Sequence, residues 1–163
     1  RITIHTQILA AHPTLDFAAG AYANLGMTLA DSFITCWHTK YQYNVVRPIT
    51  YIQRFIDPTW NMLSITDPVI TPPFPEYTSG HSVQSAAAAA VLTDLFGEHF
   101  AFTDRTHVAH GYPPRTFSSF EAAAEEAAIS RLYGGIHYRA AIENGLVQGR
   151  CVANRVLALR FHN

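Results

Sequence analysis

Apolar side chains recur at three- and four-residue steps along much of this chain, a spacing that predicts α-helices. The first predicted helix runs from about Pro13 to Tyr43, with Thr14 as its N-cap. A short helix from Ile49 to Phe55 follows the break that Pro48 imposes. The apolar positions that carry the repeat in the first helix are Leu15, Ala18, Ala19, Tyr22, Leu25, Leu29 and Phe33.

Three longer helices are predicted in the second half of the chain. The alanine run Ala86–Ala90 lies in one that extends from His81 to Phe96 and ends before Gly97. Another runs from Ser118 to Leu132, and the last runs from Tyr138 to Phe161. The inward face of the last helix is expected to carry Ile142, Leu146, Val152, Val156 and Leu159.

Proline and glycine separate these helices by two long loops, Ile56–Ser79 and Glu98–Thr116. No stretch alternates apolar and polar residues strictly enough to predict a strand. The pattern therefore predicts an all-α fold: one helical bundle over residues 1–163, with long Pro-rich loops. Functional loops are frequent among the few long loops that compact domains contain.

Composition narrows the classes of function. Of the 163 residues, 48% are hydrophobic and only 14% are charged, which argues against a disordered chain. The net charge of −1 argues against a non-specific nucleic-acid binder, and no apolar run is long enough to predict a transmembrane helix. Because few charges are available to solvate the surface, we expect a homo-oligomer or an upstream segment of the same protein to cover part of it.

The first segment with candidate chemistry is Trp37-His38-Thr39-Lys40, followed by Arg47-Pro48. On a continuous helix Lys40 and Arg47, seven residues apart, would share one face. Two cations side by side repel each other unless an anion lies between them. A solvated basic edge is the plainer interpretation of this pair alone.

The second segment is Phe74–His81. Its prolines predict an extended approach that brings Ser79 and Gly80 to the N-terminus of the alanine helix, where free N–H groups and the helix dipole can bind an anion. Gly80 would allow a ligand to approach the backbone closely, and His81 could exchange protons with it. Ser79 could equally be an ordinary N-cap.

The third segment is Ser130-Arg131 followed by Gly134-Gly135-Ile136-His137. On one straight helix Arg131 and His137 would point roughly 120° apart, but the two glycines permit a break that could bring both to one cavity. Together the three segments offer cations, neutral donors and two histidines, with carboxylates expected to be absent from their centres. This composition suits a tetrahedral oxyanion better than a hard divalent metal.

The ordered motifs Lys-x6-Arg-Pro, Ser-Gly-His and Ser-Arg-x5-His resemble those of the superfamily of vanadium-dependent haloperoxidases and type 2 phosphatidic-acid phosphatases. They span Lys40 to His137, and the likeness is greatest to bacterial vanadium chloroperoxidase-like members. The resemblance implies an all-helical domain with one pocket for vanadate, which phosphate could also occupy. It further implies that the chain is the C-terminal catalytic portion of a longer protein, and it favours a secreted or periplasmic location.

The resemblance also implies a role for individual residues. His81 would be the acid–base residue, and His137 would be either the vanadium ligand or a phosphate nucleophile. In a haloperoxidase His81 takes a proton from hydrogen peroxide and Lys40 polarises the bound peroxide. The halide is then oxidised to hypohalous acid, which can react with a small organic acceptor. The implied oxyanion binders are Lys40, Arg47, Ser79, Gly80, Arg131 and His137.

The same pocket could instead serve an acid-phosphatase-like enzyme. There His137 would attack phosphorus to form a phosphohistidine, and His81 would protonate the leaving alcohol. Trp37 and Phe74 favour the haloperoxidase, because they match aromatic residues that flank the halide site in chloroperoxidase-like members. Two aromatic core residues would be the plainer interpretation.

The chain departs from the family pattern at two positions. Thr78 stands where the family often has proline, and Ala141 stands where an aspartate commonly follows the last histidine by four residues. A carboxylate there would orient the imidazole, so we expect weaker oxyanion binding without it. Glu143 could replace it only if the start of the last helix is irregular.

Two other classes of function compete with this one. His99, His107 and His110 in one loop could bind zinc, although no zinc-finger spacing supports this. A Ser79–His81 hydrolase dyad is disfavoured because residues two apart on a helix face away from each other. The two cysteines, Cys36 and Cys151, could form a disulfide or be unrelated, but the apolar character of free cysteine favours two buried thiols.

Overall fold

The computed structural model describes residues 14–60 and 71–159. Within these residues the helices are α1 (Leu15–Tyr43), α2 (Pro48–Phe55), α3 (Gly80–Phe96), α4 (Phe120–Tyr133) and α5 (Arg139–Leu157). Between α3 and α4 lie the strands β1 (Phe102–Asp104) and β2 (Arg115–Phe117), with a short 3₁₀ turn, Val108–His110, between them. The mostly helical bundle that the sequence predicts is confirmed. No helix in the two described ranges is long and apolar enough to cross a membrane.

The helix boundaries follow from local capping chemistry. The Thr14 hydroxyl accepts a hydrogen bond from the Phe17 amide at 3.3 Å, and Ser79 and Ser119 cap α3 and α4 in the same way. Gly97 follows α3 with a φ of 97°, a conformation that favours glycine. The predicted starts therefore agree with the structure to within two residues. The predicted first residue of the first helix, Pro13, and the predicted last residue of the last helix, Phe161, lie outside the described residues.

Helix α3 is the centre of the bundle and packs against α1, α4 and α5. Its alanine-rich surface lets the neighbouring helices approach closely, because alanine adds only one carbon beyond the backbone. The approach is very close at Gly149 of α5, where a Cβ would lie 2.1 Å from the Val83 carbonyl oxygen. Neither Gly149 nor Gly145 was among the packing positions predicted from the sequence.

The apolar repeat of α1 and the predicted inner face of α5 coincide only in part with the residues that are buried. On α1, Leu25 is buried, but Leu15 is 84% exposed and Tyr22 and Phe33 are also exposed. The buried face of α1 is built mostly from smaller and polar residues, which permit closer contact than large apolar side chains do. Its buried residues are Ala21, Leu25, Thr28, Ser32, Cys36 and Lys40. On α5, Ile142 and Val156 are buried as predicted, whereas Leu159 is exposed.

The prediction that the chain contains no strand is also wrong. β1 and β2 pair antiparallel, with Phe102 opposite Phe117 and Thr103 opposite Thr116. Three-residue strands are too short to show the alternation that identifies a strand in a sequence. Phe102 also packs against Phe120 of α4, which attaches the hairpin to the bundle.

The two cysteines have different environments. Cys36 is buried against the second segment, as expected, but Cys151 is exposed, so the expectation of two buried thiols is wrong for Cys151. Both thiols are free.

Gly149→Ala should destabilise the bundle by about 2 kcal/mol or more, because the new methyl group can be accommodated only if α5 moves away from α3. Gly20→Ala is the matched control: it lies in α1 with no atom within 4 Å of the added Cβ. This control should stabilise the protein by up to about 1 kcal/mol, the usual gain in a helix. Urea unfolding measures both changes, and equal effects would contradict the close α3–α5 contact.

Candidate active site

Three parts of the chain meet around a stretch of backbone without helix or strand, residues 74–79, which we call the 74–79 segment. It ends at Ser79, the N-cap of α3. Lys40 from the last turn of α1, Arg47 from the start of α2 and His137 from the connection between α4 and α5 all contact this segment. The motifs singled out in the sequence therefore lie at one place.

Lys40 is completely buried and bonds to the backbone of the 74–79 segment. Its Nζ donates to the carbonyl oxygens of Pro75 (3.0 Å), Glu76 (2.9 Å) and Thr78. An ammonium group has three protons, so these acceptors account for all of them. Binding an oxyanion through Nζ would therefore require one carbonyl to be exchanged. Burial is the main reason that the pKa of Lys40 is lowered to about 8.

Arg47 does not share a helical face with Lys40, contrary to prediction. Helix α1 ends at Tyr43, Asn44 takes up the left-handed conformation, and Arg47 is the N-cap residue of α2. The guanidinium Nε donates to the Phe74 carbonyl at 3.0 Å, and Nη1 donates to the Ile136 carbonyl at 2.9 Å. Nη1 also lies 3.1 Å from Nε2 of His137, so Arg47 connects the second and third segments.

His137 is buried and is held by a carboxylate that was not predicted from the sequence. Its Nδ1 lies 2.6 Å from Oε1 of Glu76, and the Tyr138 amide donates to the same oxygen at 3.0 Å. Glu76 is only 1% exposed, so the expectation that carboxylates are absent from the segment centres is wrong. One feature of the sequence could have pointed to Glu76 as a site residue: it is the sole acidic residue in Phe74–His81.

The glycine pair creates the break that places His137. Helix α4 ends at Tyr133, and Gly135 has a φ of 67°, which a side chain would disfavour. The chain then leaves the direction of α4 before α5 begins at Arg139. This confirms the expectation that the glycines interrupt the helix between Arg131 and His137.

The two departures from the family pattern have structural counterparts. Ala141 is buried, and its carbonyl accepts the Ser79 amide at 3.0 Å. Glu143 is exposed and pairs with Arg139 at 3.7 Å, so it does not take over the missing carboxylate. Thr78 uses its hydroxyl, which donates to Gln148 of α5 at 2.6 Å.

Arg131 and His81 form the other side of the site. Arg131 Nη1 lies 3.4 Å from His81 Nε2, and its Nε donates to the Ser130 hydroxyl at 3.1 Å. Desolvation, followed by the charges of Arg131 and His137, lowers the pKa of His81 below its ordinary value. Burial likewise lowers the pKa of His137, although the Glu76 hydrogen bond opposes the shift. Both imidazoles are therefore neutral at neutral pH.

The remaining predicted residues surround the start of α3. Ser79 Oγ accepts the Ser82 amide at 3.4 Å, so Ser79 is an N-cap. The amides of Gly80 and His81 have no acceptor within the helix, as at the start of any helix. A Cβ on Gly80 would lie 3.4 Å from the Trp37 ring, so the glycine also gives this ring room to pack.

Trp37 and Phe74 lie together, with ring centroids 5.2 Å apart. Lys40 Nζ is 5.8 Å from the Trp37 centroid and 5.4 Å from the Phe74 centroid. Both rings are half-buried. The aromatic pair therefore borders the buried cation, where an anion would lose water but meet positive charge.

The zinc alternative gains no support. In residues 14–60 and 71–159 no group of three or more His, Cys, Asp or Glu side chains could hold a metal ion. His107 and His110 lie near each other, with ring centroids 6.1 Å apart, but both are exposed.

The donor set instead fits a tetrahedral oxyanion with one nitrogen ligand. Lys40 and Arg47 bring two buried cations to the site and Glu76 brings one carboxylate, so the interior charge is positive while His137 is neutral. The side chain of His137 can present an unprotonated Nε2, because its Nδ1 faces Glu76. Vanadate matches this combination of cationic donors and one imidazole ligand.

A comparison with protein-family models matches residues 21–162 to the model described as VCPO second helical-bundle domain. The chain belongs to the vanadium haloperoxidase family. A comparison with curated protein sequences finds no match to this haloperoxidase-family chain.

Solved structures of haloperoxidases have the same fold. A structure described as the first bacterial vanadium-dependent iodoperoxidase is 49% identical and superposes with a TM-score of 0.85 over 92% of this chain. A holo-type bacterial vanadium-dependent chloroperoxidase is 18% identical, with a TM-score of 0.64 over 82% of the chain, which shows the fold alone. The chain spans about a third of the length of these proteins, 35% and 34% respectively.

The buried ammonium group predicts a pH-dependent stability. The pKa of Lys40 is about 8 in the folded protein and 10.5 for an unperturbed lysine, so between these pH values the unfolded chain binds more protons. The free energy of unfolding should therefore rise with pH in this window, by up to about 1.4 kcal/mol per unit. Lys40→Met lacks the titrating group and should lack this rise. Urea unfolding at several pH values from 7.5 to 10 measures this free energy for both proteins. An equal dependence on pH in the two would contradict the lowered pKa of Lys40.

Proposed function

We propose that this chain carries the vanadate-binding catalytic site of a haloperoxidase, which oxidises a halide with hydrogen peroxide to hypohalous acid. The observation that carries the proposal is the neutral His137, fixed at Nδ1 by Glu76 and flanked at Nε2 by Arg47. The 49% identity to a bacterial vanadium-dependent iodoperoxidase supports it. Vanadate, when bound, would supply the centre that activates hydrogen peroxide toward a halide.

The chain's own residues would hold this group from several sides. His137 would provide the ligand nitrogen, Nε2, in exchange for the contact of this atom with Arg47 Nη1, and the guanidinium would then be free to bind the oxyanion. Arg131 and the free amides at the start of α3 would bind the oxyanion oxygens. Lys40 would contribute its positive charge from behind the 74–79 segment, and would donate directly only in exchange for a backbone carbonyl.

His81 would move the proton. Its Nε2 lies beside Arg131, which can only donate a hydrogen bond, so the ring nitrogen facing the guanidinium is unprotonated. A neutral imidazole at this position can accept a proton from hydrogen peroxide as it binds. The nearby Arg131 opposes protonation and helps to keep His81 in this form before the reaction.

The aromatic pair would receive the halide. Trp37 and Phe74 provide an apolar surface, while Lys40 Nζ lies within 6 Å of both ring centroids. Removing water from a halide makes it a better nucleophile, and the nearby cation limits the cost of that desolvation. Iodide is the first halide to test, because the 49% identical relative is described as an iodoperoxidase.

A second candidate function uses the same contact between Glu76 and His137. A histidine with its Nδ1 bound to a carboxylate can also act as a nucleophile toward phosphorus. The alternative is therefore a phosphatase that forms a phosphohistidine. Hydrolysis of p-nitrophenyl phosphate that vanadate abolishes, without any halide oxidation, would favour this function.

Substitution of site residues should abolish halide oxidation. In the vanadate-loaded protein His137→Ala and Arg131→Ala should each reduce the rate at least about 100-fold, because each removes a group that holds the oxyanion. His99→Ala is the control, since His99 is exposed and lies outside the site. The assay follows peroxide-dependent halogenation of monochlorodimedone with chloride, bromide and iodide in turn.

Two results would overturn the proposal. One is a vanadate-loaded, folded protein that halogenates with none of the three halides. The other is an equal loss of activity in all three variants, which would indicate a role in folding instead.

The pH profile tests the role of His81. Because its pKa is lowered from 6.5, the residue stays neutral to below that pH, and activity should fall only as the pH drops through this lowered value. His81→Ala should lose most activity and the acidic limb with it. A rate that stays flat from acid to neutral pH, or an acidic limb centred above pH 6.5, would refute this role.

A further inference from the structure

The imidazole of His137 lies between a group that can only donate hydrogen bonds, the Arg47 guanidinium, and a carboxylate that accepts them, that of Glu76. Arg47 Nη1 lies 3.1 Å from Nε2, and a guanidinium can only donate, so Nε2 must carry a lone pair. Glu76 Oε1 lies 2.6 Å from Nδ1 and also accepts the Tyr138 amide at 3.0 Å. Oε1 therefore acts as an acceptor, and Nδ1 carries the proton. The two sides independently assign the same tautomer.

The carboxylate is itself held in place by the backbone. The Glu76 amide donates to the Val45 carbonyl at 2.9 Å, and its carbonyl accepts from Lys40 Nζ at 2.9 Å. Glu76, which lies in the second segment, therefore connects it to the other two. Its main chain contacts Lys40 of the first segment, and its side chain contacts His137 of the third. A carboxylate anchored in this way can fix the orientation of a ring that it contacts.

We infer that Glu76 is the positioning residue of His137: it holds the imidazole with its proton on Nδ1 and keeps the Nε2 lone pair available for the oxyanion. It takes the place of the carboxylate expected four residues after this histidine, where the chain has Ala141. The inference rests on the proposed function only in taking an oxyanion as the ligand of His137. The tautomer of His137 can be measured without one.

The first experiment uses the unsubstituted protein. Nitrogen-15 spectra of its imidazole groups, with the His137 signals assigned through His137→Gln, should show a protonated Nδ1 and an unprotonated Nε2. The opposite tautomer would overturn the inference. This measurement does not depend on whether a substitution at Glu76 folds.

The second experiment removes the charge while retaining the shape. Glu76→Gln should reduce the preference of His137 for the tautomer protonated on Nδ1, because an amide can donate as well as accept, while Arg47 still favours that tautomer from the other side. It should also weaken the binding of both orthovanadate and inorganic phosphate about 10- to 100-fold. Glu76→Asp keeps the carboxylate and should recover part of both properties. Glu143→Gln is the matched control, because this exposed carboxylate contacts Arg139 instead of His137, and it should change neither.

The outcomes separate this inference from the proposed function. An unchanged tautomer and unchanged affinity in Glu76→Gln would overturn the inference, as would an equal effect of Glu143→Gln. A tautomer that depends on Glu76 in a protein that binds neither probe anion would uphold the positioning role and refute the proposed function. If Glu76→Gln does not fold, the unsubstituted protein and Glu76→Asp decide the question.

Discussion

The site depends on a fully buried ammonium group that is satisfied by backbone carbonyls. Lys40 donates to three carbonyl oxygens of the 74–79 segment and so fixes the course of a stretch that has no regular secondary structure. Burying a charge is costly unless it is fully hydrogen-bonded, so the segment and the lysine stabilise each other. The fixed segment then places Ser79 at the start of α3 and turns Glu76 toward His137.

This arrangement divides the cations of the site into two kinds. Lys40 and Arg47 are tied largely to carbonyl groups, so they set the shape and the positive potential of the interior. Arg131 makes fewer contacts, with Ser130 and His81, and can change partners at lower cost. An entering oxyanion would therefore meet Arg131 and the first amides of α3 before it could compete for Lys40. Each hydrogen bond to a charged group contributes about 1.5–3 kcal/mol. Because Lys40 and Arg47 would have to give up more such bonds than Arg131, Arg131 is the cation that an oxyanion can bind at the lowest cost.

Sequence periodicity and capping were sufficient for the helices, because both are local properties that Thr14, Ser79 and Gly97 display in the chain itself. The grouping of Lys40, Arg47 and His137 was predicted from the chemistry of the three segments taken together and from the family motifs that they resemble. What escaped prediction depends on contacts between distant residues. Glu76 resembles any loop glutamate until the fold brings it to a histidine 61 residues further along the chain. Gly149 is a weak position in an isolated helix, and only the contact with α3 explains it.

The packing of α5 is consistent with a carboxylate at Glu76 instead of at position 141. Ala141, Gly145 and Gly149 are spaced four residues apart and form a line of small residues along the face that meets α3. A Cβ on Gly145 would lie 3.1 Å from the Ser79 carbonyl oxygen, and the Ala141 carbonyl already accepts the Ser79 amide. Such close contact leaves little space for a larger side chain on this line. A carboxylate that approaches His137 from the 74–79 segment avoids the conflict, so the orientation of the histidine and the tight α3–α5 contact can coexist.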